Sequence, residues 1–322
     1  MNISKFTIFT IVVFLLLYSC KKDDEKVPSN TGIVYKDITY KTIDGQNLKL
    51  DILMPTALEK DLNPTVIFIH GGVWVGGDKS LIDSEYRSDL ANAIRNEGYT
   101  LVCLDFRQLT GSATFPINIA DCKDAVRWLK KNAAEYKIDT TNIGLWGTSS
   151  GGHVALMTAI TDDSYSGLNT VSGSYTTKVN YIIDHFGPTD LKAFFTLNSQ
   201  SDLNLLQVTN YNAYTDEVQK ILELFGVNPQ SEFFSAQEMS IENSPVKYIH
   251  TGMPPVLVMH GTSDLTVPIS QSQILVDSLS KYQVEHEFYK YENAGHVFYG
   301  ASPEQMTEAT SKVIAFMKKY TK

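Results

Sequence analysis

Apolar and polar residues alternate along two stretches near the start of the chain, residues 35–42 and 47–54, with Asp44-Gly45 between them. A period of two sets one face of a strand on a core and the other in water, and Asp-Gly is a hairpin turn, so the fold is expected to open with an antiparallel pair. The pattern then changes. Residues 65–70, 99–105, 142–146, 180–186 and 255–260 are short, nearly continuous apolar runs, as the strands of a parallel sheet covered by helices on both faces must be. Helix-like stretches separate them: 81–97, 117–134, 151–160 and 270–281, with 303–320 after a last strand at 284–291. In the second of these helices Ile119, Cys122, Val126 and Leu129 recur at helical spacing. Strand and helix in repeated alternation predict an α/β protein with a mostly parallel, doubly wound sheet and an antiparallel N-terminal hairpin.

One segment breaks the alternation. Between the strand ending at Phe186 and the strand starting at Pro255, residues 191–250 are too many for a bare loop and predict an inserted cap, helical over 216–224. Its aromatics, Phe194, Phe195, Tyr211, Tyr214, Phe225, Phe233 and Phe234, either line a substrate cleft or form the cap's own core, and core packing is the commoner use of such residues.

The first residues have a different character. Lys5 precedes an apolar run, residues 6–18, too short to span a bilayer comfortably but of the right length for the apolar region of a signal peptide. The run ends in Leu17-Tyr18-Ser19-Cys20, which resembles the bacterial lipobox. The resemblance implies a signal peptide over residues 1–19 and a lipidated Cys20; residues 20–32, rich in Lys, Asp, Pro, Ser and Asn, read as a flexible tether, and residues 33–322 as one domain. Lys22-Asp23-Asp24-Glu25 is similar to the export signal of surface lipoproteins in the Bacteroidetes. A lipid anchor in the outer membrane, facing the cell exterior, is the expectation, with the periplasmic face as the alternative and a plain solvated tether as the simpler reading of the charges.

Charge removes one class of partner. Lys and Arg number 27 against 36 Asp and Glu, a net charge of -9, which argues against a nucleic-acid surface and against electrostatic adhesion to anionic lipid. Membrane attachment is then expected through the lipid anchor alone. Of the other two cysteines, Cys103 in a strand and Cys122 in a helix read as buried free thiols, a disulfide being the alternative.

The candidate chemistry begins at the end of the strand 142–146. Gly147-Thr148-Ser149-Ser150-Gly151 is a GxSxG between a strand and a helix, the tight turn that lifts a serine hydroxyl above a sheet, and Ser149 is its nucleophile. Ser150 is the rival hydroxyl, but only Ser149 has glycine two residues away on each side. A serine hydroxyl needs a base and a group that holds the base in one tautomer. His296, in a loop between the last strand and the last helix, is the candidate base, and Asp264, in His260-Gly261-Thr262-Ser263-Asp264, the candidate acid. Asp190 is the alternative acid, while His70, His153, His185, His250, His260 and His286 read as packing or turn residues. Negative charge developing on an acyl oxygen calls for backbone donors already in place. His70-Gly71-Gly72-Val73-Trp74 ends its strand in a glycine-rich loop, so Gly71, Gly72 and Ser150 are the candidate oxyanion donors. Trp74 either floors the substrate pocket or braces that loop. No HExxH, paired-cysteine, GxxxxGK or GxGxxG pattern is found, so neither a metal nor a cofactor is expected.

Taken in order, 70–79, Asp105-Phe106-Arg107, Ala113-Thr114-Phe115-Pro116, 121–129, the serine turn, Phe186-Gly187-Pro188-Thr189-Asp190 and 260–264 resemble the bacterial α/β-hydrolase lipase/esterase family with feruloyl-esterase-like and acetylxylan-esterase-like members. Ser150 stands where alanine is common in that family, and Phe106 where tyrosine is. The resemblance covers nearly all of residues 35–320. It implies hydrolysis of acetyl or feruloyl-type esters on plant polysaccharides or their fragments. A general carboxylesterase or lipase, an arylformamidase-like amidohydrolase and an inactive glycan-binding lipoprotein are the alternatives.

Overall fold

A computed structural model describes residues 27–29, 32–57, 61–84, 86–165 and 175–322. The expected signal peptide, the lipidation site Cys20 and most of the expected tether lie outside these residues. Val27–Ser29, which the composition assigns to the tether, forms a strand instead (β1), pairing antiparallel with the start of the hairpin. Such edge pairing uses only backbone groups, and side-chain composition does not report it.

The hairpin consists of β2 (Gly32–Ile43) and β3 (Gln46–Leu53). Asp44 and Gly45 at its turn have φ of 50° and 76°, the left-handed pair that a two-residue turn of matching twist requires. The remaining strands are β4 (Asn63–Ile69), β5 (Thr100–Leu104), β6 (Ile138–Thr148), β7 (Tyr181–His185), β8 (Val256–Gly261) and β9 (His286–Tyr291). They form one nine-stranded sheet in the order β1-β2-β3-β5-β4-β6-β7-β8-β9, parallel from β5 onward.

Successive residues of the central strands enter opposite cores. Ile67, Ile69, Leu145 and Val258 pack with helices α2 (Ile117–Lys131), α3 (Ser150–Ile160) and α8 (Ser270–Lys281). Val66, Phe68, Trp146 and Met259 pack with α1 (Tyr86–Asn96) and α9 (Pro303–Tyr320). This is the α/β-hydrolase arrangement. Cys122 lies in the first core and Cys103 in the second, both buried and free, with the sheet between them.

A single helix is expected over 81–97, but the structure divides it into a 3-10 turn, Lys79–Asp83, and α1. The Leu81 carbonyl, which a continuing helix would use, instead accepts from Ser84 N, Ser84 Oγ and Arg87 Nε. Residues 191–250 form short helices, α4 (Leu191–Phe194), α5 (Gln200–Thr209), α6 (Tyr211–Phe225) and α7 (Phe233–Glu242), inserted between β7 and β8. A buried ion network ties the hairpin to α2: Lys41 Nζ is 2.7 Å from both Asp121 and Asp124, and Arg107 makes a two-pronged contact with Asp121. Each buried charge thereby has a partner, without which its desolvation would go uncompensated.

The chain passes from β4 to one neighbour, β5, and later returns to the other, β6. The carboxyl ends of β4 and β6 therefore flank a crevice where the winding reverses, the place at which open α/β sheets bind ligands.

Candidate active site

β6 ends at Thr148 and α3 begins at Ser150, so Ser149 carries the whole turn, with φ 55° and ψ -130°. Its amide donates to His185 O at 2.9 Å, and its carbonyl accepts from Gly152 N at 2.8 Å. The turn also demands close packing against β4: a Cβ on Gly151 would lie 2.1 Å from Ile69 O. Strain of this kind persists only where the surroundings over-determine it.

Asp264 follows β8, and His296 opens a 3-10 turn, His296–Phe298, after β9. The two loops are joined by Ser263 N donating to Ala294 O at 2.9 Å and Thr262 N to Tyr291 O at 3.0 Å. His296 Nδ1 is 2.7 Å from Asp264 Oδ2, and its Nε2 is 3.1 Å from Ser149 Oγ. With Nδ1–H donating to the carboxylate, Nε2 presents its lone pair to the serine hydroxyl. Three residues separated by up to 147 positions form one chain of hydrogen bonds.

The Asp264 carboxyl has no exposed side-chain surface. Burial by itself raises its pKa, but hydrogen bonds from His260, His296 and the Val267 amide outweigh burial and hold it well below the usual carboxylate range. Its Oδ1 accepts from Thr266 N at 2.8 Å and Val267 N at 2.9 Å. His260 Nε2 lies 2.8 Å from Val267 O and 3.3 Å from Asp264 Oδ2, while its Nδ1 meets Ser272 Oγ at 2.7 Å. His260 thus helps to fix the acid, a role that the sequence pattern gave it only as a turn residue.

The loop after β4 runs against the serine turn. A Cβ on Gly71 would stand 2.9 Å from Thr148 O and 3.1 Å from Ser149 Cβ, so only glycine allows this approach. Gly72, Val73 and Trp74 follow with φ of 123°, 56° and 63°. Among the described residues, no acceptor is paired with the amides of Gly71, Gly72 or Ser150; the loop is closed instead by Val75 N and Gly76 N donating to Gly72 O. The amides of two loop glycines and of the first residue of α3 are thus available to an incoming oxygen.

Of the two roles open to Trp74, the structure selects bracing and removes it from the pocket. The side chain is 1% exposed, its Nε1–H donates to His153 Nδ1 at 3.1 Å, and its backbone N–H donates to Ser150 Oγ at 3.2 Å. The cleft beside the loop is walled instead by Val73, Phe194, Phe195 and Leu265, with Glu217 and Lys220 among its polar residues, and has a volume of about 430 Å³. Phe194 and Phe195 of the cap therefore line it, and Phe195 also packs in the core to which Tyr214, Phe225 and Phe233 belong. Burial pushes the Glu217 carboxyl up to about 7 against the opposing hydrogen bond from Thr196.

The competing residues have other partners. Asp190 caps α4 through Ala193 N. His70 Nδ1 contacts Gly71 O at 2.7 Å, and its ring stacks on Phe106. His185 is buried against Tyr86 and Trp146, and desolvation pushes its ring down to about 3. His250 and His286 sit on backbone carbonyls near the surface.

Among known proteins, the chain is similar to Esterase LipC of Mycobacterium tuberculosis, 24% identical over 73% of this chain and 53% of that protein. The chain spans about half the length of the curated relatives it matches. Two solved structures share the fold. A truncated carbohydrate esterase from gut microbiota superposes with a TM-score of 0.67 at 20% identity, covering 91% of this chain and all (100%) of that one. A bifunctional GH43-CE protein of Bacteroides eggerthii gives a TM-score of 0.67 at 25% identity, covering 89% of this chain and 38% of that one. The BD-FAE family model matches residues 50–279, from β3 through the serine turn and the cap to α8. Because that match takes in most of the fold and two of the three loops that meet at Ser149, the chain belongs to the BD-FAE family.

Proposed function

We propose that this protein is a serine carboxylic-ester hydrolase acting on acylated carbohydrate. The observation that carries the reading is the unbroken Ser149–His296–Asp264 hydrogen-bond chain beside the amides of Gly71, Gly72 and Ser150, which have no acceptor among the described residues. Ser149 Oγ attacks the acyl carbon as its proton passes to His296 Nε2. Asp264 keeps the imidazole in the tautomer that accepts this proton and stabilises the imidazolium. The amides of Gly71, Gly72 and Ser150 receive the oxyanion, each donor worth about 3 kcal/mol in such sites. His296 then returns the proton to the leaving alkoxide, and water repeats the sequence on the acyl-serine.

Acetyl and feruloyl-type groups on plant polysaccharides or their oligosaccharides are the proposed substrates. The cleft between the oxyanion loop and the cap holds far more than an acetyl group and offers aromatic walls, Phe194 and Phe195, suited to a hydroxycinnamoyl ring or a sugar face. The gut carbohydrate esterase and the Bacteroides eggerthii protein, which share the fold, support this class of substrate. Lipidation at Cys20 and display at the outer-membrane surface, both resting on the sequence motifs, would bring such polymers within reach.

Release of acetate from acetylated xylan and of ferulate from a feruloylated arabinose ester, measured beside Ser149→Ala, tests the reading. Serine-dependent release from either is expected. Turnover confined to simple acyl esters would reduce the protein to a general carboxylesterase, and no serine-dependent release from any ester would overturn the proposal.

A further inference from the structure

Three consecutive left-handed residues, two of them bearing β-carbons, make the loop at 72–74 a conformation that the loop cannot hold by itself. Its restraints converge on Trp74. The Trp74 amide donates to Ser150 Oγ at 3.2 Å, the Trp74 carbonyl accepts from Leu109 N at 2.9 Å, and the indole Nε1–H donates to His153 Nδ1 at 3.1 Å. His153 lies four residues after Ser149 on α3 and is fully buried. Its other nitrogen, Nε2, meets Asn243 O, at the end of the cap helix α7, at 2.7 Å. One ring thus bonds the oxyanion loop on one side and the cap on the other, from the helix that carries the nucleophile. The Trp74 ring also meets the cap directly, edge-on to Phe194 and tilted against Phe195.

We propose that Trp74 and His153 are positioning residues: a buried relay that sets the oxyanion loop against the serine turn and couples its placement to the seating of the cap. Both ring nitrogens must be matched for the relay to hold, Nδ1 as acceptor and Nε2–H as donor, which is the neutral imidazole. Desolvation pushes the ring down to about 4, so it remains in that form at neutral pH. A histidine that merely filled space would need neither partner. Here one partner is the loop that would receive the oxyanion, and the other is the end of the cap helix α7.

The inference rests on the esterase reading, and the experiment separates the two. Trp74→Phe keeps an aromatic ring and loses the N–H; His153→Phe keeps a flat ring, slightly larger, and loses both contacts; His153→Gln keeps one acceptor and one donor. For each, kcat and KM for 4-nitrophenyl acetate are measured per active site titrated with a fluorophosphonate, along with inhibition by a trifluoromethyl ketone that mimics the tetrahedral state. Misplacing reacting groups by a fraction of an ångström costs on the order of tenfold or more. Trp74→Phe is expected to lower kcat about tenfold and His153→Phe further, with KM within about twofold. Ketone binding should weaken by the same factors, and His153→Gln should recover most of the loss. Wild-type turnover with kcat per titrated site unchanged in both Phe variants, whatever their Tm, would overturn the relay alone. Absence of Ser149-dependent turnover in the wild type would overturn both readings.

Discussion

Gly71→Ala probes the wall between the oxyanion loop and the nucleophile. The new methyl group would lie 2.9 Å from Thr148 O, 3.1 Å from Ser149 Cβ and 3.7 Å from Ser149 Oγ. Ordinary contact begins near 3.4 Å, so the two chains must separate by roughly 0.5 Å. The serine turn cannot supply that movement, because the Ser149 amide is bonded to His185 O and Gly151 is pressed on Ile69 O. The loop therefore retreats, and donors set at about 2.9 Å from the oxyanion move to about 3.4 Å. Losing a whole donor costs about 3 kcal/mol, and half to most of that corresponds to a fall in kcat of about 10- to 100-fold. Steady-state kinetics with 4-nitrophenyl acetate, normalised by active-site titration, and urea unfolding of the same preparation provide the assay. A folded variant with kcat within about threefold of wild type would refute the placement of the oxyanion donors, and a rise in KM at constant kcat would assign Gly71 to substrate binding instead.

Asp264→Asn should leave Ser149 and His296 in place but no longer enforce the tautomer with Nδ1–H, lowering kcat at neutral pH by about 10³- to 10⁴-fold; a loss under tenfold would remove Asp264 from the proposed mechanism. Asp184 is buried beneath the serine turn with Oδ2 lacking any partner among the described residues, and burial pushes its carboxyl from 3.8 up to about 7 against the hydrogen bond from Gly187 N. Its folded pKa lies above its unfolded one, so its stabilising contribution is complete below pH 3.8 and is lost as pH rises towards 7. Asp184→Asn removes that one-proton slope: between pH 4.5 and 6.5 its unfolding free energy should rise relative to wild type by about 1.4 kcal/mol per pH unit, and parallel curves from urea titrations would show the folded carboxyl to be ionised. Phe194→Ala, which opens the aromatic wall of the cleft, is expected to raise KM for a feruloyl ester about tenfold and for an acetyl ester less than about twofold; equal effects on both would place the acyl group elsewhere.

Much of the fold was legible along the chain because burial leaves a local trace. Period-two alternation marked the hairpin, where one face meets the core. Continuous apolar runs marked β4 to β8, which are covered on both faces. Gly147-Thr148-Ser149-Ser150-Gly151 was legible for a related reason: a strand that turns straight into a helix admits only small residues, so the geometry leaves its mark on neighbouring positions. The last two helices, expected over 270–281 and 303–320, coincide with α8 and α9.

Contacts between distant residues left no such trace. Trp74 could floor a pocket or brace a loop until its partners, Ser150 and His153, 76 and 79 residues away, were in view. The division of the expected helix at Ser84 depends on which donors reach the Leu81 carbonyl, and Arg87 folds back to become one of them. The roles of the cap aromatics became visible only through packing: Phe194 and Phe195 wall the cleft, Phe195 packing in the core too, while Tyr214, Phe225 and Phe233 belong to the core alone. By itself the sequence determined the hairpin, the parallel strands and most of the helices that flank them, and where the candidate nucleophile, base and acid lie along the chain. Tertiary structure alone decided which side chains hold those groups in place and which residues wall the cleft beside the loop at 71–74, because periodicity records only whether a residue is buried, not the partner it is buried against.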